Sequence, residues 1–378
     1  MRIGIDGREL LGNRTGVGRY LAELCDRWRH LPRADGHEFL VYSPQPGDYL
    51  SDLGWPFDEG REEARGRFSH RSVPGPGGTR WEQTALPAVA NADRIDVFFA
   101  PAYSAPLRLR SPYVVTIHDV SFVAHPEWFR WCDGVRRRWL TRHAVARAHA
   151  VITVSRFSRQ EVLQHYDVPA GRVRVVRSGA GYGQPLAPAP PAMSTRTPKD
   201  PLVLYVGSIF NRRHLPTLIR AFTKVTRWAP TARLVIVGDD RTYPQEDLAS
   251  VRRASAAADQ ITLRSYVSEV ELDALYQQAR VFVFLSEYEG FGLTPLEAMS
   301  AGIPTVVGDT PVARELYQDG ALFVPVRDIA RTAAAVTALL GDESLRTRQV
   351  TRAARALAAL SWERASEETL DVLESAVA

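Results

Sequence analysis

VFVFLSEYEGFGLTPLEAMSAGIP, residues 281 to 304, holds a strand, a turn and a helix within one short span. VFVFLS is apolar, β-branched and aromatic, too short for an ordinary helix, and reads as a buried strand. TPLEAMSA reads as a helix. Thr294, Pro295 and Glu297 fall at N-cap, N1 and N3, the spacing of a capping box, and proline at N1 gives up no needed donor. Gly302 closes that helix, and IPTVVG begins the next strand. Strand, helix and strand make a βαβ unit with parallel strands, whose ligands sit beyond the carboxyl ends of the strands. Glu287, Glu289, Gly290 and Gly292 lie at that edge.

Glycines let a backbone approach a ligand closely, and the first amides of a helix, with their partial positive charge, favour an anion such as a diphosphate. Glu289 and Glu297 bracket this expected anion site. A carboxylate beside a phosphate pocket is electrostatically unwelcome unless neutral hydroxyls occupy it, so sugar hydroxyls are the natural partners of both acids. Together these features point to a nucleotide sugar. The plain alternatives are a capping acid at 297, a solvated loop acid at 289 and a turn glycine at 292.

The segment from Glu289 to Glu297 resembles the Glu-x7-Glu motif of the retaining GT-B glycosyltransferases of family 4. The resemblance implies an α/β protein of two Rossmann-like domains with parallel sheets facing across a cleft. It places Glu289 against the donor sugar, Glu297 on the donor ribose, and the backbone of Gly290, Phe291, Gly292, Leu293 and Thr294 on the diphosphate. VVTIHDVSFVAHPEWF, residues 114 to 129, is similar to a string of the mannosyltransferase-like members, in which the histidine at the position of His118 meets the donor sugar near the scissile bond. His118 and Asp119 end an apparent strand, so a packed loop histidine is the plain alternative.

Length and composition are consistent with this. A chain of 378 residues, 45% apolar, can bury two cores, and a net charge of +4 with both signs interspersed gives no reason to expect nucleic acid. Cys25 and Cys132 are too few for a disulfide framework or structural zinc, and both fall in helical patterns where a small buried hydrophobe is expected. MRIGIDG opens as a strand without an apolar leader, and no run is long enough to span a bilayer, so a cytoplasmic location is expected.

The expected first domain covers residues 1–181. Gly16 and Gly18 open a helix after RIGID, but Leu21 breaks the dinucleotide fingerprint and no acid follows the second strand, FLVYSP, which disfavours hydride transfer. TGVGRY resembles the Gly-rich first loop of family 4, near acceptor and donor phosphates. Residues 45–80 read as an irregular excursion ending in a short strand near RFSHRSV, its natural use being on the acceptor side. The segment from 129 to 150 is amphipathic and basic, with Arg136, Arg137, Arg138, Arg142 and Arg147 beside Trp139, Leu140, Val145 and Ala148. A solvated face over an apolar stripe accounts for it. Peripheral contact of the 135–149 basic helix with anionic lipid at the inner membrane face is the second reading. Near residue 177 the chain departs from the family, with Arg177 and Ser178 replacing the usual Pro-Asn.

Residues 182–200, rich in proline and alanine, read as a linker. The expected second domain, 201–361, opens with LVLYVGS, and Arg212 and Arg213 follow at the ligand-facing edge, where guanidiniums suit a diphosphate. The loops after Gly238 and at 265–267 are where the family holds the nucleobase. Residues 362–378 form a last helix that, by the resemblance, returns to the first domain. No Asp-x-Asp occurs, and no cluster has metal-ligand spacing, so neither metal nor cofactor is expected. The function expected is a metal-independent transfer of a hexose, mannose by the subgroup, from a nucleoside-diphosphate sugar to a hydroxyl of a saccharide, lipid-linked or natural-product acceptor. A sugar phosphorylase or sugar-nucleotide epimerase of the same fold, or a non-catalytic sugar-binding protein, is the alternative. A pyridoxal-phosphate phosphorylase needs a Schiff-base lysine, and Lys199 and Lys224 are poorly placed.

Overall fold

A computed structural model of the chain describes residues 1–12, 16–45, 67–181 and 201–377. The expected linker, 182–200, with Lys199, lies outside the described residues. So do Thr15 of the first Gly-rich loop and residues 46–66 of the irregular excursion.

Two compact units are formed. One comprises Met1–Ala124, Trp131–Gly179 and Ser361–Ala378; the other comprises His125–Arg130 and Ala180–Leu360. The first is built on a seven-stranded sheet: β1 (Arg2–Asp6), β2 (Glu38–Ser43), β3 (Arg67–Ser72), β4 (Val97–Ala100), β5 (Tyr113–Ile117), β6 (Ala150–Thr153) and β7 (Val173–Val175), in spatial order β3-β2-β1-β4-β5-β6-β7. The second is built on a six-stranded sheet of β8 (Leu202–Val206), β9 (Arg233–Val237), β10 (Ile261–Arg264), β11 (Ala279–Phe284), β12 (Thr305–Gly308) and β13 (Leu322–Val324), in order β10-β9-β8-β11-β12-β13. Every pairing is parallel. Strand order reverses at β1/β4 and at β8/β11, the crevices where open α/β sheets take ligands.

Continuous apolar runs explain the strands. LVLYV of β8, YVVTI of β5 and AVIT of β6 are buried at every position, as strands covered on both faces must be. In the first unit, Trp28 of the helix Gly16–His30 stacks on Phe39 at 5.3 Å, and Phe39 stacks on Phe68 at 4.4 Å. The last helix, Trp362–Ser375, belongs to this unit. Its Ser366 carbonyl accepts from Trp28 Nε1 at 2.9 Å, Glu363 pairs with Arg27, and Glu374 pairs with Arg33 and His37.

The basic helix, Trp131–Arg147, departs from expectation in one respect. Cys25 is buried, but Cys132 is exposed. Leu140, Ala144 and Val145 turn inward, whereas Trp131, Val135 and Trp139, four residues apart, are 76%, 39% and 54% exposed. A helix face repeats at that spacing, so the residues beside the inward stripe cannot all be buried.

One backbone contact positions the second unit's ligand edge. A Cβ at Gly238, just after β9, would lie 2.0 Å from the Gly207 carbonyl oxygen, just after β8. Gly238→Ala should therefore lower the free energy of unfolding by about 2 kcal/mol or more. Urea unfolding tests this, and a wild-type midpoint would mean the two loops do not meet as described.

Candidate active site

In the second unit, the loop after β8 and the turn after β11 adjoin the β8/β11 reversal. Phe210 to Arg213 follow β8, and a short 3₁₀ turn, Asn211–Arg213, holds both arginines. Arg212 is buried, its guanidinium 4.6 Å from the Phe210 ring centroid. Arg213 Nε donates to Glu289 Oε1 at 2.9 Å, with side chains only 12% and 14% exposed, and Arg213 Nη1 donates to the Ser208 carbonyl at 2.6 Å. Burial works against the Arg213 charge. The Glu289 carboxylate more than offsets it, so the guanidinium pKa lies above its ordinary value. Ser286 Oγ donates to the same carboxylate oxygen at 2.9 Å.

The helix after this turn begins earlier than the capping box predicts. It spans Leu293–Ser300, its N-cap is Gly292, and no side chain caps it. Thr294 is therefore N2 and Pro295 N3. Gly292 explains the shift: at φ +86° it enters the left-handed region, and a Cβ there would lie 2.1 Å from Tyr317 Oη. Tyr317 in turn donates to the Gly292 carbonyl at 3.1 Å. Helix geometry leaves the amides of Gly292, Leu293 and Thr294 without intrahelical acceptors, and Pro295, still in the first turn, sacrifices no bond. Glu297, relieved of capping, accepts from Tyr276 Oη at 3.2 Å. At the other end Gly302 at φ +71° closes the helix, with Ile303 N–H on Ala298 O and Gly302 N–H on Met299 O, the Schellman pattern.

His118, Gly16 and Gly18 belong to the first unit. His118 Nε2 lies 2.8 Å from the Pro101 carbonyl, which can only accept, so Nε2 carries a proton and Nδ1 is the acceptor of the neutral ring. Ser158 Oγ donates to the His118 carbonyl at 2.8 Å. Burial pushes the His118 pKa down from its ordinary value, against the Pro101 bond and the Asp119 charge. Asp119 has local work of its own, accepting from Ser121 N and Oγ and from Tyr103 Oη. Gly16 is exposed and Gly18 buried at the start of the first helix, and Tyr20, one turn on, meets the His118 ring nearly at right angles with ring centroids 4.9 Å apart.

Sequence reasoning did not single out Ser286, Tyr276 or Tyr317. Ser286 stands three residues before Glu289 at the end of an apolar run and is recoverable by a strand-end rule. The tyrosines come from separate elements and leave no local signal.

Residues 14–180 match the family model described as Glycosyltransferase Family 4, and residues 192–356 match that described as Glycosyl transferases group 1. The chain is 28% identical over 280 residues to O-antigen chain mannosyltransferase B of Escherichia coli, covering 73% of each chain. It is 30% identical over 282 residues to alpha-maltose-1-phosphate synthase of Mycolicibacterium smegmatis, covering 69% of this chain and 72% of the other. Among solved structures, Anabaena HepE in complex with UDP and glucose superposes with a TM-score of 0.69 at 19% identity, over 99% of this chain and 100% of the other.

The depressed His118 pKa has a thermodynamic consequence. Between the ordinary value of 6.5 and the lower folded value, the unfolded chain binds the proton more readily, so stability falls as pH drops below 6.5. Above that pH the ring is neutral in both states and contributes no slope. His118→Gln should lose less of its melting temperature between pH 7.5 and 5 than the wild type does. Parallel slopes in thermal melts across that range would refute this.

Proposed function

The chain belongs to the family 4 glycosyltransferases of GT-B fold, in their mannosyltransferase-like subgroup, and we propose that it moves a hexose, mannose foremost, from a nucleoside-diphosphate sugar to an acceptor hydroxyl with retention and without a metal ion. The observation that carries this reading is the buried Arg213–Glu289 pair beside the helix start at Gly292. Breaking a glycosyl phosphate bond builds positive charge at the anomeric carbon and negative charge on the departing diphosphate. A fixed cation and a fixed anion of opposite placement stabilise that separation without reorganising.

In this reading Arg212, Arg213 and the amides of Gly290 to Thr294 receive the diphosphate, and Glu289 faces the anomeric carbon. Glu297 holds the donor ribose. Neutral His118 offers its Nδ1 lone pair to a sugar hydroxyl, and Gly16 and Gly18 border the phosphates. The UDP-bound Anabaena structure agrees with a nucleotide-sugar donor and the name of the E. coli relative with mannosyl transfer; in this reading the acceptor is a saccharide, lipid-linked or natural-product hydroxyl. Two guanidiniums supply the positive charge that a bridging cation supplies elsewhere.

Mass-spectrometric screening of nucleotide sugars against hydroxyl acceptors identifies the donor. With it, Glu289→Gln should lower kcat about 100-fold or more, the scale of one preorganised electrostatic contact, whereas Glu297→Gln, now without a capping duty, should chiefly raise donor KM. Activity should survive EDTA. Normal turnover by Glu289→Gln, or activity lost to chelation and restored by Mg²⁺ or Mn²⁺, would contradict the mechanism.

A further part of the proposal is that the basic helix rests on anionic lipid. No helix among the described residues is long and apolar enough to cross a membrane. Support comes instead from Trp131, Val135 and Trp139, exposed alongside Arg136 and lining a cavity of about 650 Å³ with Leu107 and Arg108. Aromatic and arginine side chains on one helix face suit an interface. Phosphatidylglycerol vesicles should co-sediment the wild type, and Trp131→Ser/Trp139→Ser should weaken this several-fold. Equal sedimentation of both, or of neither, would exclude the contact.

A further inference from the structure

His214, the residue after the two arginines, has φ +48° and ψ +43° and is the N-cap of the helix Leu215–Val225. That left-handed conformation crowds a Cβ against the following carbonyl, and glycine adopts it freely. A strained side chain held at a ligand-facing edge needs something that its side chain supplies. The ring is 13% exposed, and its Nε2 lies 3.0 Å from Glu287 Oε2, an ion-pair distance without hydrogen-bond alignment. Arg327 Nη2 donates to the same oxygen at 3.1 Å, and the Glu287 amide donates to the Arg212 carbonyl at 2.9 Å.

The other flank of the turn is tied as well. Asn211 Nδ2 donates to the Pro244 carbonyl and to Glu246, and Asn211 Oδ1 accepts from Tyr243 N at 2.6 Å. The arginine-bearing turn is thus fastened at one end to the loop after β9 and at the other to the turn that carries Glu289. Only the second tie spans the two groups that face the donor.

We propose that His214 and Glu287 form a positioning pair that holds the turn bearing Arg212 and Arg213 in register with Glu289, so that the guanidiniums meet a nucleoside diphosphate already aligned. The proposal rests on the donor-site reading of Arg213. A pair that only stabilised the fold would lose affinity in step with stability. A positioning pair separates the two, because glycine at 214 relieves the backbone while abolishing the contact.

Calorimetric titration of the full chain with GDP and with UDP, paired with thermal melting, tests this on the wild type, R213A, H214G, E287Q and H214G/E287Q. The wild type should bind at least one nucleotide and R213A should bind it far more weakly. H214G should melt at or above the wild-type temperature yet bind about tenfold more weakly, and the double variant should be no weaker than H214G, since contacting residues are non-additive. E287Q leaves the backbone unchanged and gives the same reading should H214G fail to fold. Wild-type affinity in H214G or E287Q while R213A is impaired would overturn the pair alone, as would additive losses or an affinity loss that tracks a fall in melting temperature. Binding of neither nucleotide by the wild type, or undiminished binding by R213A, would overturn the donor-site reading and the pair with it.

Discussion

A buried ion pair is expensive to assemble, and the second unit is arranged around one. Arg213 and Glu289 come from loops 76 residues apart in sequence, and each is largely withdrawn from water. Removing one partner of such a pair costs about 3–5 kcal/mol, because the other charge is left buried and uncompensated. The pair survives because Ser286, the Ser208 carbonyl and the faces of Phe210 and Phe284 satisfy what the two charges leave over. This gives the loops little freedom to wander. A site that must offer charge of both signs at fixed positions needs that rigidity, since electrostatic stabilisation weakens when the dipoles must first reorient.

The parallel sheets explain where the pair can form. In order β10-β9-β8-β11-β12-β13, β8 and β11 are neighbours whose following crossovers run to opposite sides, so their two loops part and leave a crevice. Glycine at 207 and 238 lets the loops after β8 and β9 touch at backbone distance. Larger residues there would displace the arginine turn. The same strand order at β1/β4 in the first unit brings His118, after β5, within ring contact of Tyr20 from the first helix.

Much of this was legible in the chain. Buried parallel strands announce themselves as short apolar runs, and the span from 281 to 304 showed its strand, turn, helix and closing glycine. The helix start was misplaced by two residues because Thr294, Pro295 and Glu297 fit a capping box on spacing alone. What decided otherwise was Tyr317, 25 residues away, whose hydroxyl bonds the backbone at Gly292 and closes that space to anything but glycine. Cys132 was misjudged for a similar reason: helical periodicity says which residues share a face, but not which face is covered. Local patterns carry the strands and the glycines. Long-range contacts set the cap at Gly292, the tyrosines around the site and the His214–Glu287 tie.

The last helix ties the end of the chain to its beginning. Trp28 Nε1 bonds the Ser366 carbonyl, 338 residues downstream, and Trp362 closes over Gly179. At about 5–20 residues per second of synthesis, roughly 20–70 s separate the emergence of these partners from the ribosome. By the end of that interval the second unit holds all of its strands, while the groove beside Tyr20 and Trp28 still has no native cover. The first unit made is therefore the last one finished. A nascent chain exposes this groove to chaperones and to other chains, and a truncation that spares all of residues 281–304 still leaves the first unit unsealed.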